Sequence, residues 1–422
     1  MNSAESSADG LGLLVVSFHF PPTAEPRAIQ VGNLLGAVDW PLLVARGDDP
    51  RRRPDPSLTA RLKHPQSRVL AIPYRPHPVG VRLEFHGSNY KLPLAGYSPD
   101  MFHYWRRPAV KAIGQALKDL PWRPRALITF AQPWTTHLVG LDLARGLGLP
   151  WLAHFSDLWA DWPFMPGDPL TRAYNRRLEA AVINQASRVL FTSPETLDLV
   201  MAKYPPALAA KAGLLTHSFV EGDYPAQGYQ PGPRRVIRYL GNFYGRRHPS
   251  LLVEPLRILR QSRPELLANL SIEIVGSYQP PSGGGNPFAG LPPGLLTFRP
   301  AVPHQDCLAL MAQAEALLVI EFPVERSVWL PSKIVEYIGA GRPILGMVPQ
   351  GASRRVIEDV GGLTADPADP QAVAAMLARY LERPAPSSPW GDQAVRGSFR
   401  AESLAAQLDR ELRQALAVST SD

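Results

Sequence analysis

The segment WLPSKIVEYIGAGRPILG, residues Trp329–Gly346, predicts a short helix that leads into a buried strand. Ser332 can cap the first helical turn, and two glycines end the helix before the apolar strand begins. Lys333 is unusual there, because the helix dipole disfavours a cation in the first turn and favours an anion. A phosphate bound at this turn would remove the conflict. Glu336 follows on the same helix face, so the two side chains suit a diphosphate and a ribose diol.

An ordinary structural interpretation of this segment is also available. Lys333 and Glu336 have the spacing of a surface ion pair on an amphipathic helix. The formal net charge of +7 permits an anionic substrate or an anionic membrane surface and decides neither. The residues of this segment alone therefore leave both interpretations open.

Short apolar runs alternate with helical patterns along the whole chain. Most runs are continuously apolar, as expected for parallel strands that are covered on both faces. The predicted strands of the first half are Leu11–Phe18, Pro41–Arg46, Arg68–Tyr74, Ala126–Phe130, Pro150–Phe155 and Arg188–Thr192. Those of the second half are Val236–Leu240, Ser271–Gly276, Leu295–Phe298, Ala316–Glu321, Ile344–Val348 and Gly362–Ala365. This alternation predicts an α/β protein with two doubly wound domains.

The domain boundary is predicted within Glu221–Pro233, which is polar, rich in Pro and Gly, and without periodicity. A chain of 422 residues is too long for one core, and its 45% hydrophobic content is sufficient for two. We expect a first domain of residues 1–222 and a second of residues 223–396. A last helix, predicted over Ala401–Leu416 within residues 397–422, follows the second domain.

Composition and motifs argue against several classes of protein. The single cysteine, Cys307, lies in an apolar helical stretch and predicts a buried structural thiol in a reducing compartment. The first ten residues do not resemble a signal peptide, and no apolar run reaches the ~18–20 residues of a membrane span, so we expect a cytoplasmic protein. Clustered metal ligands, the glycine-rich dinucleotide fingerprint and the P-loop are absent from the sequence. We therefore expect no metal or cofactor, and no nucleic-acid partner.

A second cationic segment, Gly241–Ser250, has the sequence GNFYGRRHPS and lies between a predicted strand and a helical pattern. Its glycines allow backbone amides to approach an anion. Arg246, Arg247 and His248 add positive charge at the helix start, which is favourable if an anion neutralises it. A solvated basic loop is the alternative.

Two segments of the first half place polar or aromatic residues at strand or helix ends. His154–Phe164, HFSDLWADWPF, follows an apolar strand, where open α/β sheets bind ligands. Asp157 is the first candidate there and His154 the second, while Trp159 can be a sugar platform or pack against a helix. Trp105 lies in the aromatic segment Tyr97–Pro108, which is either an acceptor wall near a membrane surface or a core-facing helix start.

The segment around Lys333 resembles the donor-binding motif of the retaining glycosyltransferases of family 4. That family has the GT-B fold, in which two Rossmann-like domains face each other across a cleft and a C-terminal helix returns to the first domain. Two family glutamates lie eight positions apart, and Glu336 matches the second, which contacts the donor ribose. The first would fall at Val328, which is not acidic. The Pro-Ser-Lys sequence before Glu336 is similar to a subgroup that builds bacterial cell-surface polysaccharides, where Lys333 is expected to contact the diphosphate.

The resemblance implies roles for further residues. The family opening normally carries a Gly-Gly pair and then an Arg, which matches Arg27, whereas Thr23-Ala24-Glu25 replace the glycines and Glu25 is expected to face acceptor or solvent. Expected donor-site residues are Gly241, Asn242, Arg246, Arg247, Ser277, Tyr278, Val302, Ser332, Lys333 and Glu336. Expected acceptor-site residues are Arg27, Glu25, Trp159 and Trp105. Expected catalytic residues are Asp157, His154, Arg246 and Lys333.

The implied activity is retaining transfer of a hexose from a nucleotide diphosphate-sugar to a glycan, lipid-linked or small-molecule acceptor, without a metal. The resemblance also implies peripheral contact with the inner face of the membrane as one option. A GT-B nucleotide-sugar epimerase would have the same architecture and donor site. A degenerate, non-catalytic partner subunit is a further alternative, favoured by the non-acidic Val328 and the missing Gly-Gly pair.

Overall fold

The computed structural model describes residues 12–52, 54–75, 99–163, 169–243, 247–278, 286–384 and 389–419. The chain divides into two compact units. Unit 1 comprises Met1–Thr216 and Leu404–Asp422, and unit 2 comprises His217–Ser403. Each unit contains a parallel β-sheet flanked by helices.

The sheet of unit 1 has seven described strands in the order β3-β2-β1-β4-β5-β6-β7, and all neighbours are parallel. The strands are β1 (Leu13–Val16), β2 (Leu42–Asp48), β3 (Arg68–Pro73), β4 (Ala126–Ala131), β5 (Trp151–Phe155), β6 (Arg188–Phe191) and β7 (Ala212–Leu214). The central strands β1, β4 and β5 are buried along their whole length, which explains their unbroken apolar sequence.

The helices of unit 1 cover this sheet and include the end of the chain. They are α1 (Pro26–Gly36), α2 (Arg106–Ala116), α3 (Thr135–Leu147), α4 (Pro169–Gln185), α5 (Pro194–Met201), α6 (Pro206–Ala209) and α13 (Ala401–Ser419), with short 3-10 helices at His103–Trp105 and Leu117–Asp119. Leu404, Leu408 and Leu412 recur every four residues on α13 and join the core formed by β1 and α1. Arg188 on β6 donates to Glu411 on α13 at 2.7 Å.

Unit 2 has a six-stranded parallel sheet in the order β10-β9-β8-β11-β13-β15 among its described residues, and a separate two-stranded ribbon of β12 and β14. The strands are β8 (Arg235–Leu240), β9 (Leu270–Val275), β10 (Leu296–Arg299), β11 (Ala316–Ile320), β12 (Arg326–Ser327), β13 (Ile344–Met347), β14 (Gln350–Gly351) and β15 (Leu363–Ala365). The helices are α7 (Val253–Ser262), α8 (His304–Ala312), α9 (Ser332–Ala340), α10 (Ala352–Asp359), α11 (Pro370–Leu381) and α12 (Gln393–Ser398), with 3-10 helices at Glu221–Asp223, Pro249–Leu252 and Pro264–Leu267.

The two parallel sheets confirm the predicted fold class, and the predicted strands recur with shifts of a residue or two at their ends. The units divide the chain after Thr216, whereas the sequence places the division after residue 222. The physical reason is Phe219, which packs in the core of unit 2 and exchanges backbone hydrogen bonds with Phe399 and Ala401. None of the helices within the described ranges combines the length and apolar character that crossing a bilayer requires.

Candidate functional site

The two glycines at the ends of β8 and β9 create a close backbone approach in unit 2. Gly241 has φ +133° and Gly276 has φ +148°, which side chains rarely adopt. A Cβ on Gly276 would lie 2.1 Å from the carbonyl oxygen of Gly241. A Cβ on Gly241 would lie 2.5 Å from the Nζ of Lys333. The absence of side chains at both positions therefore leaves room for the ammonium group at the carboxyl edge of the sheet.

Lys333 rests on the aromatic side chain of Tyr239. Its Nζ donates to the Tyr239 hydroxyl at 2.9 Å and lies 4.0 Å from the ring centroid, a cation–π contact. The ring of Tyr239 in turn stacks on Phe243 at 4.3 Å. Burial raises the pKa of Tyr239 to about 12, and the hydrogen-bonded Arg247 cation opposes that rise. Lys333 and Arg247 therefore converge on one neutral phenol.

Helix α9, which carries Lys333, begins without a side-chain cap. Its N-cap residue is Pro331, and Ser332 is the first helical residue, so the expected Ser332 cap is wrong. The helices α5 and α11 instead have side-chain caps from Ser193 and Asp369. Gly341 ends α9 in a left-handed conformation, as the sequence predicts. No side chain caps the first turn of α9, although the Ile334 N–H donates to the Pro331 carbonyl at 3.0 Å, and a helix start without a side-chain cap can bind an anion.

Glu336 does not pair with Lys333. Its Oε1 lies 3.0 Å from the Nε2 of His304 and accepts a hydrogen bond from it when Glu336 is ionised. The two side chains are only about one-sixth exposed, at 17% and 16%. The nearby Cys307 is partly buried, and burial raises its pKa to about 11, so it is a thiol at neutral pH. His304 therefore holds the Glu336 side chain in place, and part of that side chain remains exposed to solvent.

The remaining predicted donor-site residues divide into two groups. The Asn242 side chain accepts from the backbone N–H of Ser277 at 2.9 Å, which ties the ends of β8 and β9 together. Tyr278 instead stacks on Phe298 in an aromatic cluster, and the Val302 carbonyl faces the Cys307 thiol. Arg246 lies outside the described residues.

In unit 1, Arg27 and His154 form a buried pair. A guanidinium nitrogen of Arg27 donates to His154 Nδ1 at 2.7 Å, so the other ring nitrogen carries the proton and donates to the carbonyl of Leu215 at 2.7 Å. Both ring nitrogens are therefore engaged, and His154 is only 2% exposed. Burial lowers the pKa of Arg27 to about 9, and the charge of Asp157 partly offsets this. His154 therefore holds the guanidinium group of Arg27 in place.

Asp157 lies just beyond the carboxyl end of β5, on the same side as Arg27. The hydroxyl of Ser156 donates to its carboxylate at 3.0 Å, and Gln132 Nε2 lies 3.4 Å away. Burial raises the pKa of Asp157, whereas the Ser156 hydrogen bond and the Arg27 charge act in the opposite direction. The structure thus brings Arg27, predicted for the acceptor site, together with His154 and Asp157, which the sequence predicts at the end of this strand.

The two tryptophans expected at the acceptor site lie in the core instead. Trp159 is fully buried, stacks on Trp134 at 5.4 Å and donates to Asn175 at 2.8 Å. Trp105 is 1% exposed and donates to the carbonyl of Ile72 at 3.3 Å. Neither ring is available as a sugar platform, because both side chains are buried. Glu25 remains partly exposed and forms an ion pair with Arg52.

Sequence reasoning missed Tyr239, His304 and Glu321. Glu321 directly follows β11, is 4% exposed and accepts a hydrogen bond from the Ser353 hydroxyl. The signal for Glu321 was available, because a carboxylate ends an apolar strand there, as Asp157 does in unit 1. In the described part of the chain, no group of three or more His, Cys, Asp or Glu side chains could hold a metal ion.

The fold is GT-B, as comparison with solved structures shows. A sucrose-phosphate synthase from Thermosynechococcus elongatus superposes with a TM-score of 0.65 at 18% identity, covering 96% of this chain and 99% of that one. The Anabaena protein HepE, solved in complex with UDP and glucose, gives a TM-score of 0.63 at 14% identity, with coverage of 96% and 99%.

Comparisons at the level of sequence indicate which class of domain unit 1 contains. Residues 35–212 match the model of the glycosyl transferase 4-like domain. A D-inositol 3-phosphate glycosyltransferase from Streptomyces avermitilis is 27% identical over 240 residues, which cover 52% of this chain and 49% of that protein. The chain thus matches about half the length of this curated relative, and it combines a glycosyltransferase 4-like domain with the GT-B fold.

Proposed function

We propose that this protein is a retaining glycosyltransferase that moves a hexose from a nucleotide diphosphate-sugar to an acceptor, without a metal. The glycosyltransferase 4-like match in unit 1 and the GT-B fold support the class. The single observation that carries the donor assignment is Lys333, a lysine at the uncapped start of α9 that faces the bare backbone of Gly241.

The donor occupies the carboxyl edge of the sheet in unit 2. Lys333 and Arg247 contact its diphosphate, together with Arg246 from the same basic loop. Glu336 binds the ribose hydroxyls, since its carboxylate accepts hydrogen bonds and His304 fixes its orientation. The nucleobase lies near Ser277 and Val302. This arrangement keeps the three cations beside the phosphates that depart with the nucleotide.

The chemistry needs no general base from a protein carboxylate. The departing diphosphate takes the proton of the acceptor hydroxyl, and the cations stabilise the negative charge that develops on the leaving group. Removing one such charge-stabilising donor typically costs about 10²–10³ in rate. In unit 1, Arg27 binds the acceptor, and Asp157 is the first candidate for a catalytic role.

The biological setting that fits best is synthesis of a cell-surface polysaccharide or glycoconjugate in the cytoplasm, at the inner face of the membrane. The Pro-Ser-Lys sequence before Glu336 supports this setting. The acceptor is a glycan, a lipid-linked molecule or a small molecule. HepE was solved with UDP and glucose, so uridine nucleotides are the first donors to test.

Thermal unfolding with a panel of ligands tests the proposal: UDP, GDP, ADP, UDP-glucose, UDP-N-acetylglucosamine and GDP-mannose. A ligand at about 100 times its dissociation constant stabilises the protein by roughly 2.7 kcal/mol, which gives a clear shift in melting temperature. We expect one nucleotide family to shift the wild type. Glu336→Ala should lose most of that shift, and Glu358→Ala, an exposed glutamate on α10, should keep it.

Two results would redirect the assignment. No shift with any nucleotide would favour the non-catalytic partner subunit. A shift accompanied by interconversion of the donor sugar, with no acceptor present, would favour a nucleotide-sugar epimerase.

A further inference from the structure

Glu321 is a buried carboxyl group at the same edge of the sheet as the cations of the proposed diphosphate site, because it follows β11, which pairs with β8, and Lys333 lies against Gly241 at the end of β8. Glu321 follows β11 directly, and its backbone N–H donates to the carbonyl of Met347 at 2.9 Å, which continues the sheet pairing. The Ser353 hydroxyl donates to the Glu321 carboxylate and lies 3.1 Å from the carbonyl of Trp329. Glu321 is 4% exposed, so its position is fixed by the sheet and by the start of α10.

The groups that face Glu321 come from every element around it. Lys333 on α9 and Arg247 after β8 are cations whose charge favours the ionised form. The Ser353 hydroxyl donates to the carboxylate and also favours the ionised form, while the Tyr239 hydroxyl is a neutral neighbour. Burial acts against all of these and raises the pKa of Glu321.

With no anion in the site, the Glu321 carboxylate is therefore a counter-charge for Lys333 and Arg247. A buried charge is tolerated when opposite charges and hydrogen bonds compensate it, as they do here. A nucleotide diphosphate-sugar would bring two further negative charges to the same two cations. Like charges in one site raise the pKa of a carboxyl group, and burial of Glu321 already acts in that direction.

We propose that Glu321 is ionised in the empty site and takes up one proton from solvent when the diphosphate of a nucleotide-sugar binds to Lys333 and Arg247. This inference rests on the proposed function. The neutral carboxyl no longer opposes the diphosphate, and its O–H becomes a hydrogen-bond donor at the site. It also leaves both cations to the leaving group, whose negative charge grows as the glycosidic bond breaks. Glu321 is thus a positioning residue that sets the charge of the donor site.

The proposal has a pH signature. Proton uptake on binding means that donor affinity falls as the pH rises, by up to tenfold per pH unit once the empty-site carboxyl is fully ionised. Other ionisable side chains lie near the proposed donor site, His304 and His248 among them. Glu321→Gln separates their contribution, because the amide cannot take up the proton and has nearly the same shape.

Isothermal titration calorimetry with UDP-glucose in two buffers of different ionisation enthalpy measures the proton directly. Both phosphates of a nucleotide-sugar are esterified, so the ligand itself adds no titration near neutral pH. We expect the wild type to take up a measurable fraction of one proton at pH 7.5. Glu321→Gln should take up close to none, and it should bind UDP-glucose with unchanged or tighter affinity at pH 8.

Glu315→Gln is the matched control. Glu315 precedes the same strand, β11, is 1% exposed and pairs with Arg235 at 2.6 Å, at the opposite edge of the sheet. This variant should keep the proton uptake of the wild type. If Glu321→Gln does not fold, the wild-type affinity measured from pH 6 to pH 9 replaces it, and an affinity independent of pH contradicts the proposal.

The possible outcomes separate the inference from the proposed function. Binding of UDP-glucose by the wild type without proton uptake overturns the role of Glu321 and leaves the donor site intact. Unchanged uptake in Glu321→Gln assigns the proton to another group and also overturns the role. Failure of the wild type to bind any nucleotide-sugar of the panel removes both.

Discussion

The polar clusters at the carboxyl edges of the two sheets hold their cations by different kinds of contact. In unit 1, a guanidinium nitrogen of Arg27 donates to a neutral, buried histidine, His154, whose other nitrogen is bonded to the backbone. In unit 2, Lys333 and Arg247 share the hydroxyl of Tyr239, and the Lys333 ammonium group rests on the ring. The first cluster is fixed by internal hydrogen bonds, whereas the second holds its cations by contacts that an anion can replace.

This difference indicates that the cluster of unit 2, rather than that of unit 1, is suited to an anionic ligand. Burial lowers the pKa of Arg27 to about 9, with Asp157 as the carboxyl that partly offsets it, so the cluster of unit 1 has little excess positive charge. The cluster of unit 2 places two cations at one hydroxyl, with Glu321 nearby and Glu336 held by His304, at a helix start that has no side-chain cap. The diphosphate is therefore expected at unit 2, and polar hydroxyl groups at unit 1.

Lys333→Met provides the strongest test of this comparison. Methionine keeps an apolar stem against the Tyr239 ring and removes only the charge and its hydrogen bond. We expect turnover to fall by about 10²–10³, because one charge-stabilising donor is lost, with little change in the melting temperature. Lys111→Met, at an exposed position on α2, is the control and should keep full turnover. Near-normal turnover in Lys333→Met would remove the diphosphate site from α9.

Much of the fold follows from the sequence because buried parallel strands leave a strong signal. The apolar runs that became β4, β5 and β11 are unambiguous, since both faces of each strand are covered. The three-residue strand β7 is only partly buried and has no such run. The two-residue strands β12 and β14 depend on pairing alone, which periodicity does not reveal.

The candidate site is less predictable, because it depends on which side chains meet in space. Lys333 and Glu336 stand out by their places on one helix, but their actual partners, Tyr239 and His304, are far away in the sequence. Trp159 shows that the sequence can also suggest a role that the structure does not support. Its place near Asp157 in the sequence suggests a sugar platform. Its ring is fully buried, because it packs against Trp134 and donates a hydrogen bond to Asn175 in the core of unit 1.

Gly241→Ala and Gly114→Ala form a matched pair that tests how closely the backbone of unit 2 supports the cations. Alanine at residue 241 must adopt φ +133° and would meet the Lys333 ammonium group, so we expect about 1–3 kcal/mol of destabilisation and weaker nucleotide binding. At residue 114, on α2, an added Cβ meets nothing within 4 Å. That variant should be more stable by about 0.5–1 kcal/mol.

Urea unfolding and the nucleotide-induced thermal shift measure the two effects separately. If Gly241→Ala kept wild-type stability and the full nucleotide shift, the close approach of Lys333 to the backbone would have no energetic role. An equal loss of stability in both variants would point to a general intolerance of added side chains instead.

His137 tests the opposite property, the exclusion of charge from unit 1. It is fully buried on α3, with Nδ1 2.7 Å from the hydroxyl of Thr129, and its Nε2 has no partner among the described residues. Burial, assisted by the Arg27 charge, lowers its pKa from 6.5 to about 3. Well above pH 6.5 the imidazole is neutral in the folded and unfolded states, and its titration contributes nothing to the stability. Below pH 6.5 the unfolded chain takes up a proton that the folded chain refuses, so stability falls as the pH drops towards 3.

At pH 5.5 this one residue should cost the wild type about 1.4 kcal/mol of unfolding free energy relative to pH 7.5. His137→Gln stays neutral at every pH and can keep the contact with Thr129, so its own loss between the two pH values should be smaller by about that amount. Tryptophan fluorescence during urea unfolding is the suitable probe, because all tryptophans except Trp329 and Trp390 belong to unit 1. Equal losses in the two proteins would mean that His137 accepts a proton in the folded state. The core of unit 1 would then tolerate charge as the cluster of unit 2 does, and the contrast between the two sheets would fail.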